Sequence, residues 1–151
     1  MLGDLARYCS QSERCLFDVR NKFQDENLSE EAEKRIIDKL VRDKFIDEKR
    51  FARSFVHDKF RFNHWGRVKI AYELKVRGVP PEVYSEAIET IDEDEYFTVL
   101  TEILTNKKRT LKGRSRQDIF QKLCRFAVAR GFEMPLIVNT LKKMIKNIDD
   151  D

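Results

Sequence analysis

The sequence predicts an all-α protein built as three tandem three-helix repeats in an elongated, curved array. Three observations predict it. Apolar residues recur at spacings of three and four, as Phe51, Phe55 and Val56 do, then Val68, Ile70, Ala71 and Leu74. That is the period of a helix that buries one face. Only 5 Gly and 3 Pro interrupt 151 residues, too few for the tight turns of a sandwich or barrel. One apolar frame also occurs three times. Val19, Phe23, Asn27, Leu28 and Ala32 return as Ile70, Leu74, Gly78, Val79 and Val83, and again as Leu123, Ala127, Gly131, Phe132 and Leu136. The frame runs on through Ile36, Ile37 and Leu40, then Ala87, Ile88 and Ile91, then Thr140, Leu141 and Met144, with Thr140 its one polar mismatch.

The first repeat spans 1–45. It opens with a short helix from about Leu2 to Ser10, and Ser12 caps the next. Asn27 ends that helix, and Ser29-Glu30-Glu31 starts the third. The second repeat spans 46–91. Asp47 caps a helix from Glu48 to about Phe62. A break at Asn63–Gly66 leads to a helix that ends at Gly78, and Pro80-Pro81-Glu82 starts its partner. The third repeat spans 92–148. Asp92 caps a helix from Glu93 to about Lys108, whose first-turn acids oppose the helix dipole. A helix ending at Gly131 follows, then one opened by Glu133-Met134-Pro135. Asn27, Gly78 and Gly131 fit the left-handed residue that ends many helices. Residues 149–151 form an acidic tail. Units this small bury little alone, so neighbours must share a core.

Charge is segregated. Net charge is +3 overall, but residues 49–77 carry +7, residues 78–104 carry −8 and residues 105–130 carry +8. The blocks are solvated faces that pair across the fold, or a surface for a charged partner. No apolar run is long enough for a membrane helix, and Met1-Leu2-Gly3-Asp4 lacks a signal peptide's apolar core. Cys9, Cys15 and Cys124 form no even framework; a reduced, cytoplasmic protein is expected, with cysteines acting as small core hydrophobes. His57 and His64 are two helical turns apart, and with Cys9 and Cys15 they match no usual zinc spacing. Phosphate-loop, dinucleotide and nucleophile-elbow motifs are absent. No enzyme, metal or cofactor is predicted.

Two segments are candidate binding surfaces. In Arg61 to Lys69, a flexible break carries the only Trp, Trp65, which is either a plug between helices or a partner contact. The helix after Gly66 then sets Arg67, Lys69, Lys75 and Arg77 among inward-facing apolar residues, as an outer cationic stripe. In the second, Lys107, Lys108, Arg109, Lys112, Arg114 and Arg116 fall within ten residues, read as an anion-binding loop.

The second repeat resembles a known family. Ile46-Asp47-Glu48-Lys49-Arg50-Phe51-Ala52-Arg53-Ser54-Phe55-Val56 is similar to the RecX segment hydrophobic-D-D-x-R-[FY]-A-x-x-[FY]. Gly66-Arg67-Val68-Lys69-Ile70-Ala71-Tyr72-Glu73-Leu74-Lys75-Val76-Arg77-Gly78-Val79 is similar to G-P-x-x-I-x-x-E-L-x-x-K-G-I. Arg67 stands where the family usually has Pro, and Asn63-His64-Trp65 is unusual before the glycine. The resemblance implies a regulator of the RecA recombinase that lies in the groove of its filament on single-stranded DNA and restrains filament growth. A monomer is expected. The rivals are a helical module that binds DNA without recombinase, and a protein that titrates free recombinase monomers.

Overall fold

The computed structural model describes residues 16–23, 28–43, 46–113 and 115–149. The expected helix from Leu2 to Ser10, the Ser12 cap, Asn27, Cys9, Cys15 and Arg114 lie outside them, as do the last two residues of the tail. The described residues form eight helices and no strand: α1 (Leu16–Phe23), α2 (Glu30–Arg42), α3 (Glu48–Arg61), α4 (Arg67–Val76), α5 (Pro81–Glu89), α6 (Glu93–Thr110), α7 (Arg116–Ala129) and α8 (Met134–Asp149). The fold is all-helical, as expected. Helices pair in sequence as α1–α2, α4–α5 and α7–α8, with α3 and α6 leading the second and third pairs.

Local chemistry sets the boundaries. Each helix start needs acceptors for backbone N–H groups that have no partner within the helix. Ser29 accepts the Ala32 N–H at 3.2 Å, and Asp47 accepts that of Arg50 at 3.1 Å. Asp92 accepts the Glu95 N–H at 2.9 Å. Ser115 does the same for Asp118 at 3.1 Å. Helix α5 begins instead with Pro81, whose missing N–H costs nothing at that position. Helices α4 and α7 end at Gly78 (φ 78°) and Gly131 (φ 94°), both left-handed. The next residue closes each end: the Val79 N–H donates to Leu74 at 3.0 Å, and that of Phe132 to Ala127 at 3.1 Å. Val79 and Phe132 are buried beside the residues they bond, which is the apolar contact that accompanies this ending.

The repeated frame is the core. Val19, Phe23, Ile70, Leu74, Leu123 and Ala127 are all buried. Thr140, the polar mismatch, is 1% exposed, and its hydroxyl donates to the Leu136 carbonyl at 2.7 Å. Its polarity is satisfied within the helix.

The chain forms two compact units, each from non-contiguous stretches. One consists of the described residues within Met1–Val56 together with Tyr72–Thr90. Its core includes Val19, Phe23, Leu40 and Ile46, with Leu28, Ile36 and Ile37 packed on them. The other consists of His57–Ala71 and the described residues of Ile91–Asp151. There α6, α7 and α8 pack on one another around Leu100, Leu104, Leu123, Ile137 and Leu141. No helix among the described residues is long and apolar enough to cross a membrane.

Candidate functional site

The α3–α4 turn is held by the α7–α8 turn within the second unit. The Gly66 N–H donates to the Arg130 carbonyl at 2.8 Å, and the Val68 N–H to the Gly131 carbonyl at 2.9 Å. The two backbones touch. A Cβ on Gly66 would lie 2.4 Å from the Gly131 carbonyl, and one on Gly131 would lie 2.2 Å from the Lys69 Cβ. The family-like glycine at 66 is therefore required by close approach.

Arg67 sits at the centre of this clasp. Its backbone N–H donates to the Tyr96 hydroxyl at 3.0 Å, and that hydroxyl donates to Glu133. Its guanidinium lies 3.9 Å above the Tyr96 ring. It also pairs with Glu133 at 3.0 Å and with Glu93 at 2.8 Å. Burial opposes the guanidinium's charge, but Glu133 and Glu93 outweigh it and raise the Arg67 pKa. Burial first, then the bond to Glu133, pushes the Tyr96 hydroxyl well above the ordinary tyrosine value. Tyr96 is fully buried, with Phe60 stacked at 5.8 Å and Phe132 tilted at 5.1 Å.

The first expected surface is therefore divided. Arg67 is neutralised inside the unit. Arg61 pairs with Glu95 at 3.3 Å. Trp65 is half-buried, with the Lys69 ammonium 4.5 Å and the Lys59 ammonium 4.9 Å from its ring centroid. Lys75 and Arg77 belong to the other unit. Lys75 is exposed, and Arg77 pairs with Glu73 at 3.2 Å and lies 5.0 Å over Phe55. The expected cationic outer stripe on α4 needs correction. Val68, Tyr72 and Val76 are 55%, 63% and 52% exposed. The helix is apolar on two sides, and three- and four-residue spacing alone does not say which side is buried.

The second surface is only partly a loop. Lys107, Lys108 and Arg109 form the last turn of α6, where cations oppose the negative end of the dipole. Thr110 donates back to Lys107 at 2.8 Å. Leu111, Lys112 and Gly113 follow outside the helix. Lys112 is exposed, and Arg116 is the first residue of α7.

Arg61, Trp65, Arg67, Lys69, Lys107, Lys108, Arg109, Lys112 and Arg116 thus share one unit. Sequence reasoning missed Glu93, Tyr96, Phe126, Arg130 and Glu133. The nearest signal was Arg67 itself, in a position where the family-like motif has Pro. Cys124 is half-buried and unpaired, and burial raises its thiol pKa. Among the described residues no three His, Cys, Asp or Glu side chains gather as metal ligands.

Comparison with known proteins places this chain. The family model described as RecX, second three-helix domain, matches residues 47–88. The regulatory protein RecX of Clostridium tetani (strain Massachusetts / E88) is 28% identical over 145 residues, covering 95% of this chain and 66% of the relative. That of Clostridium botulinum (strain Eklund 17B / Type B) is 32% identical, covering 84% and 60%. That of Prosthecochloris aestuarii (strain DSM 271 / SK 413) is 29% identical, covering 86% and 83%. The chain thus spans less than two thirds of the two clostridial relatives. The crystal structure of RecX from Lactobacillus salivarius superposes with a TM-score of 0.83 at 18% identity, covering 94% of this chain and 92% of that one. A second crystal structure, of regulatory protein RecX, superposes with a TM-score of 0.85 and covers 94% and 70%. These relatives are named as regulatory proteins, and in sequence and fold this chain is similar to the RecX family.

Proposed function

We propose that this protein binds the filament of a RecA-type recombinase on single-stranded DNA and restrains filament extension, ATP hydrolysis and strand exchange. The match of residues 47–88 to the RecX second three-helix domain carries this reading. The mechanism is steric and electrostatic. Three helical repeats, 1–45, 46–91 and 92–148, lie along successive recombinase subunits as a monomer, in the cytoplasm. Basic blocks face acidic recombinase surfaces or DNA phosphates, and the acidic block faces basic ones. Contacts come from Arg61, Trp65, Lys69, Lys75 and Arg77, and from Lys107, Lys108, Arg109, Lys112, Arg114 and Arg116. Arg67 contributes by holding the turn in place.

The test is ATP hydrolysis by the cognate recombinase on single-stranded DNA, titrated with this protein. Suppression well below one molecule per recombinase subunit is expected. Full activity at equimolar protein would overturn the inhibitory mechanism. A second reading, DNA binding without recombinase, is favoured by one observation. Among the described residues Lys69, Lys75, Lys107, Lys108, Arg109 and Lys112 pair with no carboxylate. It predicts affinity that falls by roughly 10³ between 50 and 200 mM salt for about six phosphate contacts.

A further inference from the structure

The second unit has a groove at the junction of three elements: the α3–α4 turn, the end of α6 and the end of α7. Lys107 and Arg130 flank it. Both hold their charged groups over the one Phe126 ring, at 5.2 Å and 5.1 Å from its centroid. Neither pairs with a carboxylate among the described residues. Arg130 also donates to the Asn63 carbonyl at 3.3 Å. The two cations are thus placed by a ring and a backbone oxygen, with their charge left uncancelled. No acidic residue lines this groove, whereas Glu30, Glu33 and Asp38 stand beside Arg20 and Lys34 in the groove of the other unit.

The remaining lining is chemically specific. Ile103 supplies an apolar wall, and Asn106 and Thr110 supply uncharged hydrogen-bonding groups. His64 enters from the turn with φ 54°, a left-handed backbone that is uncommon outside glycine. Its Nδ1 is buried and has no hydrogen-bond partner. Such an atom is rare in a native fold and calls for an explanation.

We propose that this groove binds single-stranded nucleic acid, with a phosphate between Lys107 and Arg130 and an unpaired base against Phe126 and Ile103. A duplex keeps its bases stacked, so only its phosphates would reach the cations. A single strand can turn a base into the recess. An acidic peptide would use the cations but would leave the aromatic and apolar walls idle. The proposal rests on the nucleic-acid side of the function proposed above, and adds the residues that hold the strand.

The test uses the full chain and a fluorescein-labelled 20-nucleotide oligothymidylate, followed by anisotropy across a salt series without recombinase. The double substitution Lys107→Gln with Arg130→Gln is expected to weaken binding roughly tenfold. It should also reduce the slope of log affinity against log salt by about 0.7, the value for one phosphate contact on a single strand. Arg130→Lys, which keeps the charge, should retain most of the binding, and Phe126→Leu should lose it at unchanged helicity. Unchanged affinity in the double variant would overturn the proposal, as would preference for an oligoglutamate peptide or for a duplex of equal length. The recombinase assay separates the two readings. A double variant that still suppresses ATP hydrolysis but binds the strand normally defeats the groove alone. A wild-type chain that binds the strand through these residues yet leaves the recombinase active defeats the regulatory reading alone.

Discussion

Arg67 shows how one residue can depart from a family pattern and make the local structure depend on the departure. A proline there would pre-set the backbone for the first helical position. In this chain, however, that position's N–H is used, because it donates to the Tyr96 hydroxyl. Restoring the motif with Arg67→Pro should therefore destabilise. It removes that bond and the ion pair to Glu133, which together contribute about 2 kcal/mol. The pair to Glu93 adds little, since Glu93 is 84% exposed. Arg67→Ala keeps the N–H and should cost about half as much in urea denaturation. Tyr96→Phe leaves the Arg67 N–H and a Glu133 oxygen without their partner, at about 1–3 kcal/mol. A pH series isolates the hydroxyl further. The folded-state Tyr96 pKa is raised, so the folded chain keeps a proton that the unfolded chain loses. Its contribution is whole below about pH 10, the unfolded tyrosine value, and is lost as pH rises through the folded value. Stability of the wild type should fall more steeply above pH 10 than that of Tyr96→Phe.

Among the helices and turns, two glycines with the same backbone sign should behave differently. Gly78 is left-handed, and a Cβ added there would meet nothing within 4 Å. Gly78→Ala should cost only the conformational term, about 1 kcal/mol. A Cβ on Gly131 would in addition meet Lys69 backbone atoms at 2.6 Å and 3.0 Å. Gly131→Ala should cost about 3 kcal/mol or more, because the clasp must open. Equal losses in thermal denaturation would show that the turns do not press together. Much at this scale was legible beforehand, because it is local chemistry. The left-handed ends at Gly78 and Gly131 and the caps at Asp47 and Asp92 follow from residues a few positions apart. The exposed Val68, Tyr72 and Val76 did not follow. An apolar helix offers more than one possible buried face, and only the tertiary neighbours choose between them. The helix was expected to end at about Lys108 and the cations from Lys107 onward were counted as a loop, whereas α6 runs to Thr110 and its dipole welcomes Lys107, Lys108 and Arg109 in the last turn.

For the molecule as a whole, sequence reasoning recovered the all-helical repeat plan and the family-like segment, since both repeat along the chain. It could not recover the clasp. Tyr96 meets Glu133 across 37 residues and Arg67 meets Glu133 across 66, and no local pattern encodes such a meeting. The clasp has a consequence for fragments. Residues 57–71 pack with the unit that contains 91–151, so a fragment ending at 91 should leave the Gly66 and Val68 amides unprotected in hydrogen exchange. The full chain should protect both. The clasp also alters how the charged surface should be probed. Neutralising Lys69, Lys107, Lys108 and Arg109 to Gln should weaken suppression of recombinase ATP hydrolysis with little loss of stability. Adding Arg67→Gln should lower stability as well, and would confuse a binding defect with a folding one.

The meeting of Gly66 with Arg130 and Gly131 also sets an order on the life of the chain before it is complete. A ribosome makes the α3–α4 turn well before it makes the residues that accept its amide hydrogens. At about 5–20 residues per second, the turn waits several seconds for them. During that interval Phe60 and Ile70, which end up fully covered, have no permanent cover from α6, α7 or α8. Nascent chains of this protein are therefore expected to need protection from early self-association until translation passes residue 133.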